Sequence, residues 1–178
     1  MCLQSIIFAG ALSAFTPPDN LLQMEAAVPP TAMEIEDYRL TRKPWWLRAC
    51  TKNWQWVTID PNIYHPPHLV PASYPAIIEH EKTHIAQQRR AGKYRWLIKY
   101  IASKKFRLNQ ELEPIVIELS NLPLEARLPM ATKYANNLAG PPYSRAAKSA
   151  EVALEAIRAK AEEMGVELTP AAAEAAGL

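Results

Sequence analysis

The sequence is short of several features that would narrow its function quickly. It holds two cysteines, Cys2 and Cys50, in 178 residues. Two thiols make no disulfide framework, and neither stands in a C-x-x-C pair, so two separate reduced thiols are expected and a cysteine-ligated zinc site is not. The formal net charge is only +2, too small an excess to imply a nucleic-acid partner. No apolar run reaches the roughly 20 residues that a membrane-spanning helix needs. The nearest approach, Leu3 to Leu12, looks faintly like a signal-peptide core, but it lacks a basic leading region. A buried strand or a segment packing on a partner is the plainer expectation for it. There is no internal repeat.

What is present describes a folded chain. Hydrophobic residues make up 49% and charged residues 21%, so a core can be buried and the composition is not that of a disordered protein. The 16 prolines gather in the first half and in connectors. Residues 1–44, broken by Pro17-Pro18, Pro29-Pro30 and Pro44, read as an irregular arm. Residues 45–122 then form an α+β core, and residues 123–178 a mainly helical extension.

Within the core, residues 45–65 are expected as β structure: Trp54 to Ile59 is rich in aromatic and β-branched residues, Asp60-Pro61-Asn62 signals a turn, and Ile63-Tyr64-His65 suits a return strand. A helix is predicted from Pro75, apt for a first helical position, to Ala91-Gly92, where glycine is a natural stop. Ile77, His80, Glu81, His84, Ile85 and Gln88 follow the i, i+3, i+4, i+7 rule and share its inward face. A second helix is predicted over Lys93–Ser103, with Trp96, Leu97, Tyr100 and Ile101 inward. A third is predicted to begin near Asn109 as its cap, because Pro114 is tolerated only near a first turn. Two more follow, one between Pro123 and Leu138, kinked at Pro129, and one from Pro142 or Tyr143 to Met164. The last carries Ala147, Ala150, Leu154, Ile157, Ala161 and Met164 on one stripe. With the core expected to be complete by about residue 120, that stripe is expected to dock on another chain.

The chemistry is concentrated in His80-Glu81-Lys82-Thr83-His84. Two histidines four apart on a helix lie one turn apart on the same face. Their imidazoles can converge on one zinc ion at about 2.0–2.1 Å each. The glutamate beside the first histidine is the residue that, in zinc hydrolases, deprotonates the water the metal activates. Chance produces the motif in a chain of this composition at a rate on the order of one per cent. Two buried, hydrogen-bonded histidines without a metal are the bland alternative.

A catalytic zinc needs a third protein ligand. No histidine follows His84 at the spacing of the three-histidine class. His65 and His68 lie upstream, and Glu111 and Glu113 are the next acids downstream. The two glutamates are two residues apart and point about 200° from each other on a helix, so only one can face a site. Tyr64, His65, His68 and Tyr74 are candidates for stabilising an oxyanion, each with packing or turn structure as its plainer role.

The run from His80 to Gln88, with Tyr94 to Tyr100 and Arg107 to Glu113, resembles small gluzincin-like (HExxH) zinc metallopeptidases of the phage and prophage type. The resemblance covers about residues 54–120. It implies a minimal zincin-like fold: a short sheet, the motif helix and a glutamate-bearing helix. It implies His80, His84 and Glu111 as ligands of Zn2+, and Glu81 as the catalytic base. Pro114 departs from the pattern, where a small residue is usual. The implied activity is hydrolysis of a peptide or protein substrate. A non-enzymatic alternative is a virion structural or assembly protein that keeps the zinc-bound core as a scaffold and contacts neighbouring subunits. A cytoplasmic or virion location is expected ahead of secretion.

Two features stand outside this reading. Arg89 to Arg107 holds eight basic residues and no acid. It could meet phosphates or an acidic partner, though a solvated helix face explains the same pattern. Trp45, Trp46, Trp54, Trp56 and Trp96 are expected as core or interface anchors.

Overall fold

The computed structural model describes residues 37–51 and 55–168, as six α-helices and one three-stranded sheet. The expectations for Cys2, Leu3 to Leu12 and Trp54 fall outside the described residues. The architecture is mixed α+β, and helices dominate it.

The sheet has the order β1-β3-β2. β2 (Val57–Ile59) and β3 (Asn62–His65) form the expected hairpin, antiparallel with Thr58 opposite Ile63, across a turn containing a cis Asp60–Pro61 bond. β1 (Arg39–Arg42) pairs in parallel with β3, from Arg39 opposite Asn62 to Arg42 opposite His65. The end of the expected arm is therefore part of the sheet. All four β1 side chains are exposed, so no buried alternation marked it as a strand. Residues Trp45–Cys50, expected as β structure, form the short helix α1, anchored by the buried Leu47.

α2 (Pro75–Ala91) runs between its predicted limits, ending where Gly92 takes φ 81°, a region closed to most side chains. Its buried face meets the sheet through Ile77, Ile78, Ile85 and Ala86 against Trp56 and Ile63. α3 (Lys93–Ala102) buries Trp96 and Tyr100. α4 (Lys104–Ser120) begins five residues before the predicted start, because Ser103 rather than Asn109 is its cap and accepts a hydrogen bond from the Phe106 N–H. Pro114 therefore lies deep inside the helix.

α4 is buried on two sides. Arg107, Glu111, Pro114 and Glu118 face α2 and α3, while Ile115, Val116 and Leu119 join a larger cluster with α5 (Leu124–Ala139) and α6 (Ala150–Glu163). α5 continues through Pro129. α6 starts seven residues later than Tyr143, because Ser149 caps it through the Val152 N–H. At its other end Gly165, at φ 68°, lets Val166 N–H return to the Ala161 carbonyl at 2.8 Å, closing the last turn. The inward residues are Ala147, just before the helix, with Ala153, Ile157 and Ala161; Leu154 and Met164 are half-buried.

The stripe on α6 is therefore covered by its own chain. The expectation that it docks on another subunit is corrected. The cause is α4, which shares its apolar side with α5 and α6 and leaves no separable core ending near residue 120. Of the tryptophans, Trp56 and Trp96 are core residues, whereas Trp45 is 75% and Trp46 46% exposed.

Ile157→Ala should lower stability by about 2–5 kcal/mol, and truncation after Gly140 should abolish cooperative unfolding. Urea titration followed by circular dichroism measures both. A truncated chain with an unchanged midpoint would contradict the shared core.

Candidate metal centre

α2 carries His80 and His84 on its buried face, 1% and 3% exposed, with ring centroids 5.1 Å apart. α4 crosses this face and brings Glu111, fully buried, to both. Glu111 Oε2 is 3.6 Å from His80 Nε2, and Glu111 Oε1 is 3.5 Å from His84 Nε2. One ligand atom from each of the three lies within 4.8 Å of the others, so His80, His84 and Glu111 could hold a metal ion. Of the four third-ligand candidates, the structure brings only Glu111 to the histidines. Glu113 points to Gln87 and Arg90 instead, each at 3.1 Å. His65 places Nδ1 2.8 Å from the Pro66 carbonyl and its ring beside Trp56, and His68 is exposed.

Each histidine is gripped from behind. His80 Nδ1 is 3.2 Å from Glu118 Oε2, and His84 Nδ1 is 3.0 Å from Gln87 Oε1. Glu118 stands seven residues after Glu111, two helical turns along the same face, so α4 brackets His80 with two carboxylates. Tyr100 donates its hydroxyl hydrogen to Glu111 Oε1, and Trp96 stacks on Tyr100 at 4.6 Å. Partners behind metal-binding histidines and carboxylates orient them and select the ring tautomer.

Glu81, 0% exposed, lies on the same buried face. The Thr58 hydroxyl of β2 donates to Glu81 Oε2. Gln88, one residue of α2 past Gln87, accepts from Asp60 N–H and donates to the Thr58 carbonyl, both at 3.0 Å, which ties β2 to the motif helix.

Burial opposes charge on all these groups, and mutual pairing overrides it at some of them. Desolvation alone would lower His80, but Glu111 and Glu118 hold it up at about 10. Desolvation alone would raise Glu111, but His84 and His80 hold it down at about 2. His84 is raised for the same reason as His80, mainly by Glu111. Glu81 is raised by burial, against the pull of the two histidines and Thr58. In the absence of a cation, a proton on the His80 imidazole balances part of the carboxylates' negative charge.

Three buried side-chain atoms on this face find no hydrogen-bond partner: His80 Nε2, Glu111 Oε2 and Glu81 Oε1. Unpaired buried polar atoms are costly and rare. The first two belong to the facing pair of one prospective coordination shell, and two imidazoles with one carboxylate are a zinc donor set. The residues present therefore fit a metal ion.

Sequence reasoning did not find Thr58, Gln87, Tyr100 or Glu118 as parts of this site, nor Lys43. Lys43 is 3% exposed, donates to Thr51 Oγ1 at 3.1 Å, and is lowered to about 8 by burial, with the Glu81 carboxylate opposing. The Glu111–Glu118 spacing was the one available signal. None of Tyr64, His65, His68 and Tyr74 hydrogen-bonds to the triad or to Glu81; Tyr64 packs beside Leu47 and Val57, and Tyr74 meets the edge of Trp56. Comparison of the chain with protein-family models, curated proteins and solved structures finds no match.

The raised histidines give the metal-free protein a definite pH response. The stabilisation from His80 is complete below about 6.5 and is lost as pH climbs toward 10; that from Glu111 is complete above about 4.5 and is lost toward 2. With chelator present, the urea midpoint should fall between about pH 6 and 7.5, below the titration of Lys43, and excess zinc should remove that fall. A chelated midpoint that rises across this interval would contradict the assignment.

Proposed function

We propose that this chain is a gluzincin-like zinc protein, and that its chemistry is hydrolysis of a peptide or protein substrate with Glu81 as general base. The observation that carries the reading is the convergence of His80, His84 and Glu111, with an unpaired Glu81 oxygen on the same buried face. A zinc ion held by the three would supply Lewis acidity, which lowers the pKa of water to about 7 and polarises a carbonyl.

The chain's own residues then divide the work. Thr58 occupies one oxygen of Glu81 and fixes the carboxylate, so the other oxygen is the one available to take a proton. Burial raises Glu81 above an ordinary carboxylate, toward the range in which a base is effective near neutral pH. Tyr100 holds Glu111, while Glu118 and Gln87 hold the histidines. The low exposure of all four central residues excludes bulk water, which strengthens every one of these interactions.

A second reading, a zinc-bound scaffold in a virion or other assembly without peptidase activity, rests on a separate observation. Extended peptides commonly bind by adding to a sheet edge. β2 is the edge strand beside Glu81, and Gln88 already occupies its Thr58 carbonyl and the Asp60 N–H that follows it. On that reading the partners are neighbouring subunits. No described helix is long and apolar enough to cross a membrane.

Purified protein should bind about one zinc per chain, and His80→Ala or His84→Ala should abolish uptake. Glu81→Gln should keep the metal and lose all cleavage of a model peptide library. Full metal content in either histidine variant would remove the metal centre. Zinc-loaded protein that cleaves nothing, yet loses its fold on chelation, would select the scaffold.

A further inference from the structure

Pro114 sits in the interior of α4, where a proline lacks the N–H that would bond to the carbonyl four residues back. That carbonyl belongs to Gln110. It is taken instead by the side chain of Gln87, whose Nε2 donates to Gln110 O at 3.0 Å. The second hydrogen of the same amide goes to Glu113 Oε2 at 3.1 Å, a carboxylate also held by Arg90 at 3.1 Å. Both hydrogens of the Gln87 amide are thus committed to acceptors, and its orientation is settled: Oε1 must be the atom that faces His84. An amide oxygen only accepts, so His84 Nδ1, 3.0 Å away, must carry a proton. Once that ring is neutral, its lone pair lies on Nε2, the nitrogen turned to Glu111.

We infer that Gln87 is the positioning residue for His84, and that Pro114 acts in the centre by freeing the Gln110 carbonyl that anchors Gln87. The inference rests on the metal-centre reading above. It gives an apparent defect a function, since a proline inside a helix costs stability and this one converts the broken ladder bond into an acceptor aimed at the neighbouring helix. Gln110 is the junction, because its side-chain Oε1 also accepts from Trp96 Nε1 at 2.7 Å. The helix that carries Glu111 thereby holds Gln87 through the backbone carbonyl of the preceding residue, and through that residue's side chain holds Trp96, whose ring lies 5.7 Å from that of His84. The two histidines are oriented by different chemistry, a carboxylate behind His80 and a neutral amide behind His84.

The test is a double-mutant cycle on zinc affinity in the full chain, measured by competition with a chromophoric chelator, with the thermal midpoint of the metal-free protein read in parallel. Gln87→Met should weaken zinc binding by roughly 10- to 100-fold, the usual effect of losing a residue behind a ligand. Pro114→Ala should weaken it by about tenfold while the metal-free midpoint holds or rises, because the ladder bond is restored. In the Gln87→Met background, Pro114→Ala should have less than about a twofold effect, since coupled residues are non-additive. Glu113→Ala, at a half-exposed position, puts the second anchor through the same cycle if Pro114→Ala does not fold. Equal losses in both backgrounds, or no loss from Pro114→Ala in a wild-type chain that binds zinc normally, would overturn the relay alone. A wild-type chain that takes up no zinc would overturn the metal centre beneath it.

Discussion

Three buried carboxylates, Glu81, Glu111 and Glu118, lie on one buried face with two imidazoles, and the protein must neutralise them there. An isolated buried charge is prohibitively expensive, and a buried pair is tolerable only when its remaining polar atoms are also satisfied. Most of the structure around α2 and α4 answers this requirement. Tyr100 satisfies one oxygen of Glu111, Thr58 one oxygen of Glu81, and Glu118 and Gln87 the outer nitrogens of the histidines. Of the atoms left over, His80 Nε2 and Glu111 Oε2 face each other at 3.6 Å. A divalent cation placed there would supply positive charge that a proton on the raised His80 otherwise carries.

The helix that bears the motif was legible in the sequence because its signals are local. Pro75 and Gly92 mark its ends, and the spacing from Ile77 to Gln88 marks its buried face. The hairpin was legible for the same reason. α4 starts earlier than Pro114 predicts, because Ser103 supplies its cap and the cost of a proline inside a helix is one that tertiary contacts can offset. α6 likewise starts at the cap Ser149 rather than at Pro142 or Tyr143. β1 gave no pattern to read, as it shows solvent on all four side chains and is a strand only by virtue of β3. In the site, residue types with a fixed spacing could be named beforehand. Thr58, Gln87 and Tyr100 could not, because their significance lies in which atom they reach across the fold.

The C-terminal helices are part of the same economy. α4 presents glutamates to α2 on one side and Ile115, Val116 and Leu119 to α5 and α6 on the other. The apolar side holds the polar side in register: displacing α4 by a fraction of a turn would carry Glu111 and Glu118 away from His80 together. Arg107 locks the near end, spanning the Ile101 carbonyl at 2.7 Å and the Tyr143 carbonyl at 3.4 Å, with Tyr100 beneath its guanidinium. What looked like an extension appended to a small core is the buttress against which the core's acid-bearing helix is set.

The depth of the triad also governs time. His80, His84 and Glu111 are between 0% and 3% exposed, so a metal ion held by them would be largely enclosed by the described residues. Loading and loss of such an ion would then follow a local opening of the structure around the triad rather than a simple collision. Such a centre would remember its history: the metal enclosed when the chain first folded would be exchanged only as often as that opening occurs, whatever ion is in excess outside.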